Sequence, residues 1–281
     1  MSDLKLYEVN PGHTFEGAAD PTQSEAGAQV TDVYLNTTSG EEFRCRVATL
    51  GSQEWDGGNG TQVPVPLAAI LATDHPNLIA MYTMDNISGA TLVDESPNAN
   101  NGTITGATAV AGQIGNGLFF GASSSDRVKL TSVIESVVSG DFSFSFFVDY
   151  QTQSTAFPRF IEISDALAKG VQFFYYRDTN EFGLDLIGVL AMKVASPLTS
   201  GLKHIVCNYE RGVGLEVFVE GVSVGTHLSA SVPTTPSSSN IYLGNTNSLN
   251  RVLDGILDEF RIFDRILTTE EITALYNEGT P

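Results

Sequence analysis

Alternation of apolar and polar residues is the dominant pattern of this sequence. In residues 142–150, apolar side chains at every second position alternate with serine or aspartate. A strand places successive side chains on opposite faces, so this pattern predicts a half-buried β-strand. Similar runs recur between clusters of glycine, asparagine, serine and proline, which favour turns. The whole pattern predicts an all-β sandwich with two packed sheets.

The C-terminal residues depart from this pattern because they predict one strand followed by a short helix. Residues 257–266 are an apolar strand. Thr268, with Glu271 three residues later, forms the capping-box signature of a helix start. Gly279 is placed to end the helix in a left-handed conformation. Only in this part of the chain do apolar residues recur with the period of an α-helix.

This ending, residues 255–279, resembles the closing segment of laminin-G-like domains of the concanavalin A type. Segments 78–102, 115–130 and 203–221 resemble other parts of the same family, in the same order along the chain. The resemblance covers roughly residues 78–279. It implies a concanavalin A-like β-sandwich, or jelly roll, with a short C-terminal helix.

A small β-rich unit is predicted to precede the sandwich. Residues 31–36 and 41–47 alternate as two short strands joined by a polar turn, and a glycine-rich break follows at Gly57. The run from Asp32 to Trp55 resembles small modules of bacteriophage fibre and capsid-surface proteins. That resemblance implies that the N-terminal unit attaches the protein to a larger assembly.

These features predict three regions: an attachment module at 1–63, a linker at 64–76 and the jelly-roll domain at 77–281. The linker is bounded by prolines and is too apolar for a flexible tether. It is predicted to pack either against a neighbouring chain of a homo-oligomer or onto its own sandwich, because apolar surface favours burial.

Charge and hydropathy narrow the range of partners. The chain holds 33 acidic and 14 basic residues, for a net charge of −19 at pH 7. This balance argues against nucleic acid and anionic membranes, since both require clustered cations. No apolar run is long enough for a transmembrane helix, and the N-terminus lacks the apolar segment of a secretory signal. Cys45 and Cys207 are too isolated to indicate a disulfide framework.

Catalytic motifs are not supported by their context. Residues 221–225 match the nucleophile-elbow motif but lack the helix that must follow it. Neither 162–165 nor 258–264 has the same-face carboxylate triplet found in glucanases with this fold, and glycan hydrolysis requires two facing carboxylates. The four histidines have no metal-ligand spacing. The sequence therefore predicts a protein that is not an enzyme.

Calcium is the one cofactor for which the sequence offers candidate ligands. Oxygen-bearing side chains occupy alternate positions of one loop, at Asp94, Ser96, Asn98 and Asn100. The family resemblance implies a structural Ca²⁺ ion, with Asp94, Asp126 and Asp258 as the matching acids. The alternative is a loop of Asx turns without an ion, which the same residues favour.

Glycan binding by ring stacking has three candidates, Phe157, Tyr175 and Tyr176. Because residues 173–176 form part of a strand, at least two of their four rings are predicted to face the core. Packing is therefore the alternative role for these aromatic residues.

Together these observations predict a bacteriophage virion structural protein, assembled in the cytoplasm of the bacterial host. It would be a capsid decoration protein or a head or tail fibre. The N-terminal module would bind capsid or tail proteins, and the laminin-G-like domain would bind host-surface glycans. Two alternatives remain open: a bacterial carbohydrate-binding or adhesion module, and a polysaccharide-degrading enzyme.

Overall fold

The computed structural model describes residues 77–279 except 122, 124, 131–136, 151–155, 166–168 and 237–239, together with the backbone of five strands before residue 57. The chain divides into two compact units, Met1–Pro64 and Val65–Pro281. The predicted linker at 64–76 lies outside the described residues. No helix in the described part of the chain is long and apolar enough to cross a membrane.

The first unit contains a five-stranded sheet. Its strands follow chain order: β1 (Lys5–Glu8), β2 (His13–Gly17), β3 (Val33–Asn36), β4 (Glu42–Val47) and β5 (Glu54–Asp56). Strands β2 and β3 run parallel, and the other neighbours run antiparallel. The β3–β4 pair confirms the two strands predicted at 31–36 and 41–47.

The second unit is a sandwich of two antiparallel sheets. The order of the first sheet is β10 (Thr108–Ala111), β11 (Asn116–Phe120), β22 (Gly255–Phe263), β13 (Phe142–Tyr150), β18 (Lys203–Glu210), β19 (Gly214–Val219) and β20 (Val222–Leu228), with β6 (Leu78–Tyr82) also pairing β22. The order of the second is β17 (Leu190–Ala195), β16 (Glu181–Leu186), β15 (Gly170–Tyr176), β14 (Arg159–Ser164), β21 (Asn240–Leu243), β12 (Arg127–Leu130), β9 (Gly102–Thr105), β8 (Thr91–Leu92) and β7 (Ile87–Ser88). We call them the eight-stranded and the nine-stranded sheet.

Aromatic side chains fill the core between the two sheets. The ring of Phe146 stacks on Phe260 at 5.0 Å, and Phe173 stacks on Phe182 at 5.9 Å between ring centroids. The alternating run 142–150 is β13, near the middle of the eight-stranded sheet. Its apolar side chains at even-numbered positions from 142 to 148 face this core. The predicted all-β sandwich is therefore confirmed.

A smaller core joins the outer face of the eight-stranded sheet to helix α1 (Thr269–Glu278). It consists of Leu78, Met81, Val206, Phe218, Phe263, Leu267, Ile272 and Leu275. The capping box is confirmed: the Thr268 hydroxyl accepts from the Glu271 N–H at 3.4 Å, and the Glu271 carboxylate accepts from the Thr268 N–H at 2.8 Å. The cap and the small core together determine where the helix begins.

Gly279 ends the helix, but the predicted left-handed conformation is wrong. Its φ of −89° is right-handed, and its N–H donates to the Tyr276 carbonyl at 3.3 Å in a final tight turn. A Cβ atom at this position would lie 2.5 Å from Phe147 Cζ and 2.8 Å from Gln113 Cγ. Glycine is required here because there is no space for a side chain.

Replacing Thr268 with alanine is expected to lower the free energy of unfolding by about 1 kcal/mol, because one N-terminal N–H of α1 loses its acceptor. Thr273→Ala is the matched control, since the Thr273 hydroxyl is exposed and bonds only within the helix. Urea melts of both variants check this expectation. Equal shifts for the two would show that the cap does not hold the helix.

Candidate functional site

Two rows of side chains cross the outer face of the nine-stranded sheet. Directly paired residues form the first row: Lys129, Tyr242, Glu162, Gln172 and Asp185. The second row is Arg159, Phe174, Gly183 and Lys193. We call these two rows, with Phe157, Tyr176, Glu181, Arg127 and Arg251 beside them, the polar aromatic face.

Strand alternation directs the polar members of this face outward. Glu162 lies between Ile161 and Ile163, and Gln172 lies between Val171 and Phe173. These apolar neighbours face the core between the sheets, so the polar residue between them must face the opposite side. A register shift after Arg159 places that residue directly opposite Phe174.

Gly183 leaves room for two aromatic rings on this face. The rings of Phe174 and Tyr176 lie 4.7 Å apart between centroids. A Cβ atom on Gly183 would lie 2.6 Å from Tyr176 Cε2 and 2.9 Å from Phe174 Cζ. The absence of a side chain at Gly183 therefore allows both rings to pack over the strand at an angle of 53° to each other.

Two of the three predicted stacking residues lie together here. Phe157 and Tyr176 meet at right angles with 5.3 Å between ring centroids. The prediction for Tyr175 is wrong, because strand alternation turns its ring into the core, where it is 1% exposed. The Tyr175 hydroxyl accepts from the Leu198 N–H at 2.9 Å and donates to the Ser196 carbonyl at 3.2 Å.

A hydrogen-bonded chain of three side chains runs along the middle of the face. Arg159 Nε donates to Gln172 Oε1 at 3.0 Å, and Gln172 Nε2 donates to Glu162 Oε2 at 2.8 Å. The other Glu162 oxygen accepts from the Ser164 hydroxyl and the Asn247 N–H. The amide of Gln172 therefore separates the guanidinium from the carboxylate.

Burial changes the acidity of two charged groups on the face. It lowers the pKa of Arg159 to about 10, with a further lowering from Arg251 nearby. Burial also raises the pKa of Asp185, which the charge of Arg159 partly offsets. Arg159 remains a cation at neutral pH, because a pKa near 10 lies well above that pH.

The three predicted calcium ligands do not come together. Asp94 accepts from the N–H groups of Met81, Ser96 and Asn100 and from the Ser96 hydroxyl, at 2.7–2.9 Å. Asp258 instead accepts from the N–H groups at residues 113, 114 and 259. No cluster of three or more acidic, histidine or cysteine residues able to hold a metal is present in the described part of the chain.

These carboxylates do not fit a shared calcium site, because Asp94 and Asp258 are occupied by separate sets of donors. Burial raises the pKa of Asp258 to about 6 and that of Asp126 above its usual value, although both groups accept backbone hydrogen bonds. The loop around Asp94 has the Asx-turn hydrogen bonds of the alternative. Calcium binding stays a prediction for which the geometry offers no support.

A second group of charges lies beneath helix α1. Arg261 Nη2 donates to Glu259 at 2.8 Å and to Glu278 at 3.0 Å, and the Arg261 side chain is 1% exposed. Asp258 and Glu259 are 0% and 2% exposed. A sugar cannot contact these carboxylates, so this group stabilises the fold.

A small cleft lies on the opposite side of the domain, along β18, β19 and β20. Val213, Leu228 and Ile266 are its exposed apolar residues. Its volume of about 130 Å³ is below the roughly 300–1,000 Å³ of typical small-molecule sites. The nearby nucleophile-elbow match is part of β20, and the Ser223 hydroxyl donates to Glu216 at 2.6 Å.

Sequence reasoning missed most of the polar aromatic face. The sequence did contain a pattern that indicates this face: a single polar residue between two apolar residues of a strand. It occurs at Glu162, Gln172, Asp185 and Lys193. The register that aligns them depends on pairing between distant strands, and alternation within one strand does not contain it. No sequence pattern predicts Arg159 on this face, because its position depends on the register shift in β14.

The fold of the second unit is that of a lectin-like β-sandwich, and the comparison with family models gives the same class. The model for the laminin-G-type branch of the "Concanavalin A-like lectin/glucanases superfamily" matches residues 121–273. This is more than half of the chain, so the protein belongs to that superfamily. The comparison with curated proteins found no match.

Solved structures with a similar fold include two from toxins and one of an enzyme. The binding domain of Paraclostridial Mosquitocidal Protein 1 is 16% identical with a TM-score of 0.55, and the alignment covers 72% of this chain and 52% of that one. A structure of botulinum neurotoxin type C, whose cell entry depends on interaction with two ganglioside molecules, is 16% identical with a TM-score of 0.58 and coverage of 73% and 52%. Trypanosoma rangeli sialidase in complex with sialic acid is 15% identical with a TM-score of 0.55 and coverage of 71% and 32%.

The aligned region therefore spans about half of each of the two toxin chains and about a third of the sialidase. At this identity the likeness shows a shared fold.

Proposed function

We propose that this protein is a non-catalytic carbohydrate-binding protein that holds a glycan on its polar aromatic face. The observation that favours this function most is that Gln172 and Asp185 lie, partly exposed, on the same face as the partly exposed ring of Tyr176. Glu162 and Phe174, which are 4% and 3% exposed, support these groups from below. Ligand sites combine aromatic side chains with a small number of placed polar groups, and this face offers both on rigid strands. Two proteins of similar fold interact with a ganglioside and with sialic acid, which supports this proposal.

The enzymatic alternative rests on two carboxylates of the same row. Glu162 and Asp185 are two strands apart, which separates their Cα atoms by about 10 Å at normal strand spacing. Inverting glycosidases place their carboxyl groups about 6.5–9.5 Å apart. The Glu162 carboxylate, however, accepts hydrogen bonds from three donors, which favours a role in holding the face together.

The N-terminal unit has a separate role in this proposal, which is attachment to a larger assembly. We propose that residues 1–63 attach the glycan-binding domain to a bacteriophage virion, as a decoration protein or a fibre. The motif between Asp32 and Trp55 supports this role through its resemblance to phage modules. Capsid or tail proteins would be the partners of this unit, and homo-oligomerisation remains part of the same prediction.

The test of glycan binding is an array of neutral and acidic glycans probed with matched glycine variants. Gly183→Ala would push aside the rings of Phe174 and Tyr176, so we expect binding to weaken roughly fivefold or more, or about 1 kcal/mol. Gly140→Ala is the control, because a Cβ atom at Gly140 has no neighbour within 4 Å. Equal binding by the two variants, or no binding at all by the wild type, would contradict the proposed site.

The same purified protein should release no reducing ends from any polysaccharide that it binds. Sustained release that is lost in Glu162→Gln or Asp185→Asn would replace the binding function with a glycosidase activity.

A further inference from the structure

We propose that the glycan bound by the polar aromatic face is acidic, and that Arg159 binds its carboxylate or sulfate group with help from Lys193 and Arg251. This inference rests on the proposed function and names the class of its ligand. The chemistry it requires is an oxyanion on a sugar, in an orientation that a guanidinium group can contact.

The first support is that cations lie over the aromatic rings of the face. Arg159 lies 4.0 Å above the Phe174 ring centroid, Lys193 lies 3.8 Å above Tyr176, Arg251 lies 5.1 Å above Phe157, and Arg127 lies 5.0 Å above Tyr242. A neutral sugar stacks its C–H groups on a bare ring. Rings that already hold a cation instead present positive charge to the ligand.

The second support is the contrast in charge between the face and the rest of the protein. Of the 14 basic residues in the chain, five belong to the face: Arg127, Lys129, Arg159, Lys193 and Arg251. Of the 33 acidic residues, the face includes Glu162, Glu181 and Asp185. Basic residues outnumber acidic ones here although the whole protein has a net charge of −19. A local positive surface on an acidic protein attracts anions selectively.

The third support is Arg159 itself, a cation that is 8% exposed. It donates to two neutral acceptors, Gln172 Oε1 at 3.0 Å and the Phe157 carbonyl at 2.8 Å. No ion pair joins it to a carboxylate in the described part of the chain. Its guanidinium has five N–H donors, so donors remain for a ligand.

A buried arginine elsewhere in the same domain shows what a structural arginine looks like. Arg261 is buried to a similar degree and bonds directly to the carboxylates of Glu259 and Glu278. On the polar aromatic face, Gln172 stands between Arg159 and Glu162 and prevents such a pair. Glu162 and Asp185 stabilise the charge of Arg159 through space, without a direct ion pair. A buried charge is stable when it is paired, and an acidic ligand would supply a direct partner.

Affinity electrophoresis in gels that contain one polysaccharide each tests this inference. The probes are hyaluronate and polygalacturonate for carboxylate, dextran sulfate for sulfate, and unmodified dextran as the neutral glycan. We expect retardation by a carboxylated or a sulfated probe, weakening as salt rises, and little by dextran. Which anionic probe binds more tightly identifies the oxyanion.

Variants assign the binding to named cations. Arg159→Met should weaken binding about tenfold or more, because a charge-assisted contact is lost. Lys193→Gln and Arg251→Gln should each weaken it by a smaller factor, and they test the same surface if Arg159→Met fails to fold. Lys203→Gln is the matched control. Lys203 pairs with Glu220 at 3.5 Å, as Lys193 pairs with Glu181 at 3.1 Å, but it belongs to the eight-stranded sheet.

The possible results separate the two proposals. Dextran bound as tightly as the anionic probes, with no effect of Arg159→Met, would overturn this inference and leave glycan binding intact. Duplex DNA bound as tightly as the anionic polysaccharides would show a general anion surface and also overturn it. No binding to any polysaccharide would overturn both proposals.

Discussion

Replacing Arg261 with methionine is expected to destabilise the folded protein by about 3–5 kcal/mol at neutral pH, because the buried network loses the cation that pairs with Glu278 and donates a hydrogen bond to Glu259. Arg261 bonds to Glu259 on its own strand and to Glu278 in the last turn of α1. A carboxylate in the last turn opposes the helix dipole, so Glu278 depends on this cation. Urea denaturation measures the loss. Arg177→Met, which breaks an exposed pair with Asp178, is the matched control with an expected change below about 1 kcal/mol.

The same network should make stability depend on pH. Burial raises the pKa of Glu259 from 4.5 to about 8, and the nearby charge of Arg261 only partly offsets this effect. The folded protein therefore keeps a proton that the unfolded chain releases. The stability from this proton is fully present below pH 4.5 and is lost as pH rises towards 8.

Glu259→Gln removes this titration, so its free energy of unfolding should change less than that of the wild type between pH 5 and pH 8. Other groups of the network still titrate, since burial also raises the pKa values of Glu278 and Asp258. Burial lowers the pKa of His204 from 6.5 to about 3, so this residue lowers stability as pH falls below 6.5, equally in wild type and variant. Identical pH profiles for wild type and variant would contradict the assignment to Glu259.

Asp94→Ala is expected to cost about 3–5 kcal/mol, because three backbone N–H groups and one hydroxyl lose their acceptor in a buried loop. One of these N–H groups belongs to Met81 in β6, so the loop is hydrogen-bonded to the first strand of the sandwich. Thermal and urea melts measure the effect. Asp178→Ala is the control, since the Asp178 side chain is 67% exposed.

Melts of the wild type in excess chelator separate the two explanations for this loop. Hydrogen bonding alone predicts the same melting temperature with and without chelator, and a large loss in Asp94→Ala under both conditions. A bound calcium ion predicts a lower melting temperature in chelator and no such sensitivity in the variant. A small effect of Asp94→Ala would contradict both explanations.

Local patterns were enough to predict much of the fold. Alternation in 142–150 identified β13, and Thr268 with Glu271 identified the start of α1. In residues 173–176, alternation predicted two inward rings, and the structure places Phe173 and Tyr175 in the core. These predictions hold because side-chain direction in a strand and capping at a helix end depend on residues close in sequence.

Contacts between distant residues could not be predicted in this way. Which of two adjacent tyrosines faces the core depends on strand phase, so the structure was needed to separate Tyr175 from Tyr176. Gly279 ends the helix because Phe147 and Gln113 fill the space around it, and neither is near it in sequence.

The sequence by itself determined the class of fold, the order of its elements and the family to which the domain belongs. Only the tertiary structure decided that Arg159, Gln172 and Glu162 form one chain of hydrogen bonds, while Arg261 is paired with two carboxylates. The physical reason is strand register, which depends on pairing between distant segments. A shift of one residue would turn each of these side chains to the other face of its sheet.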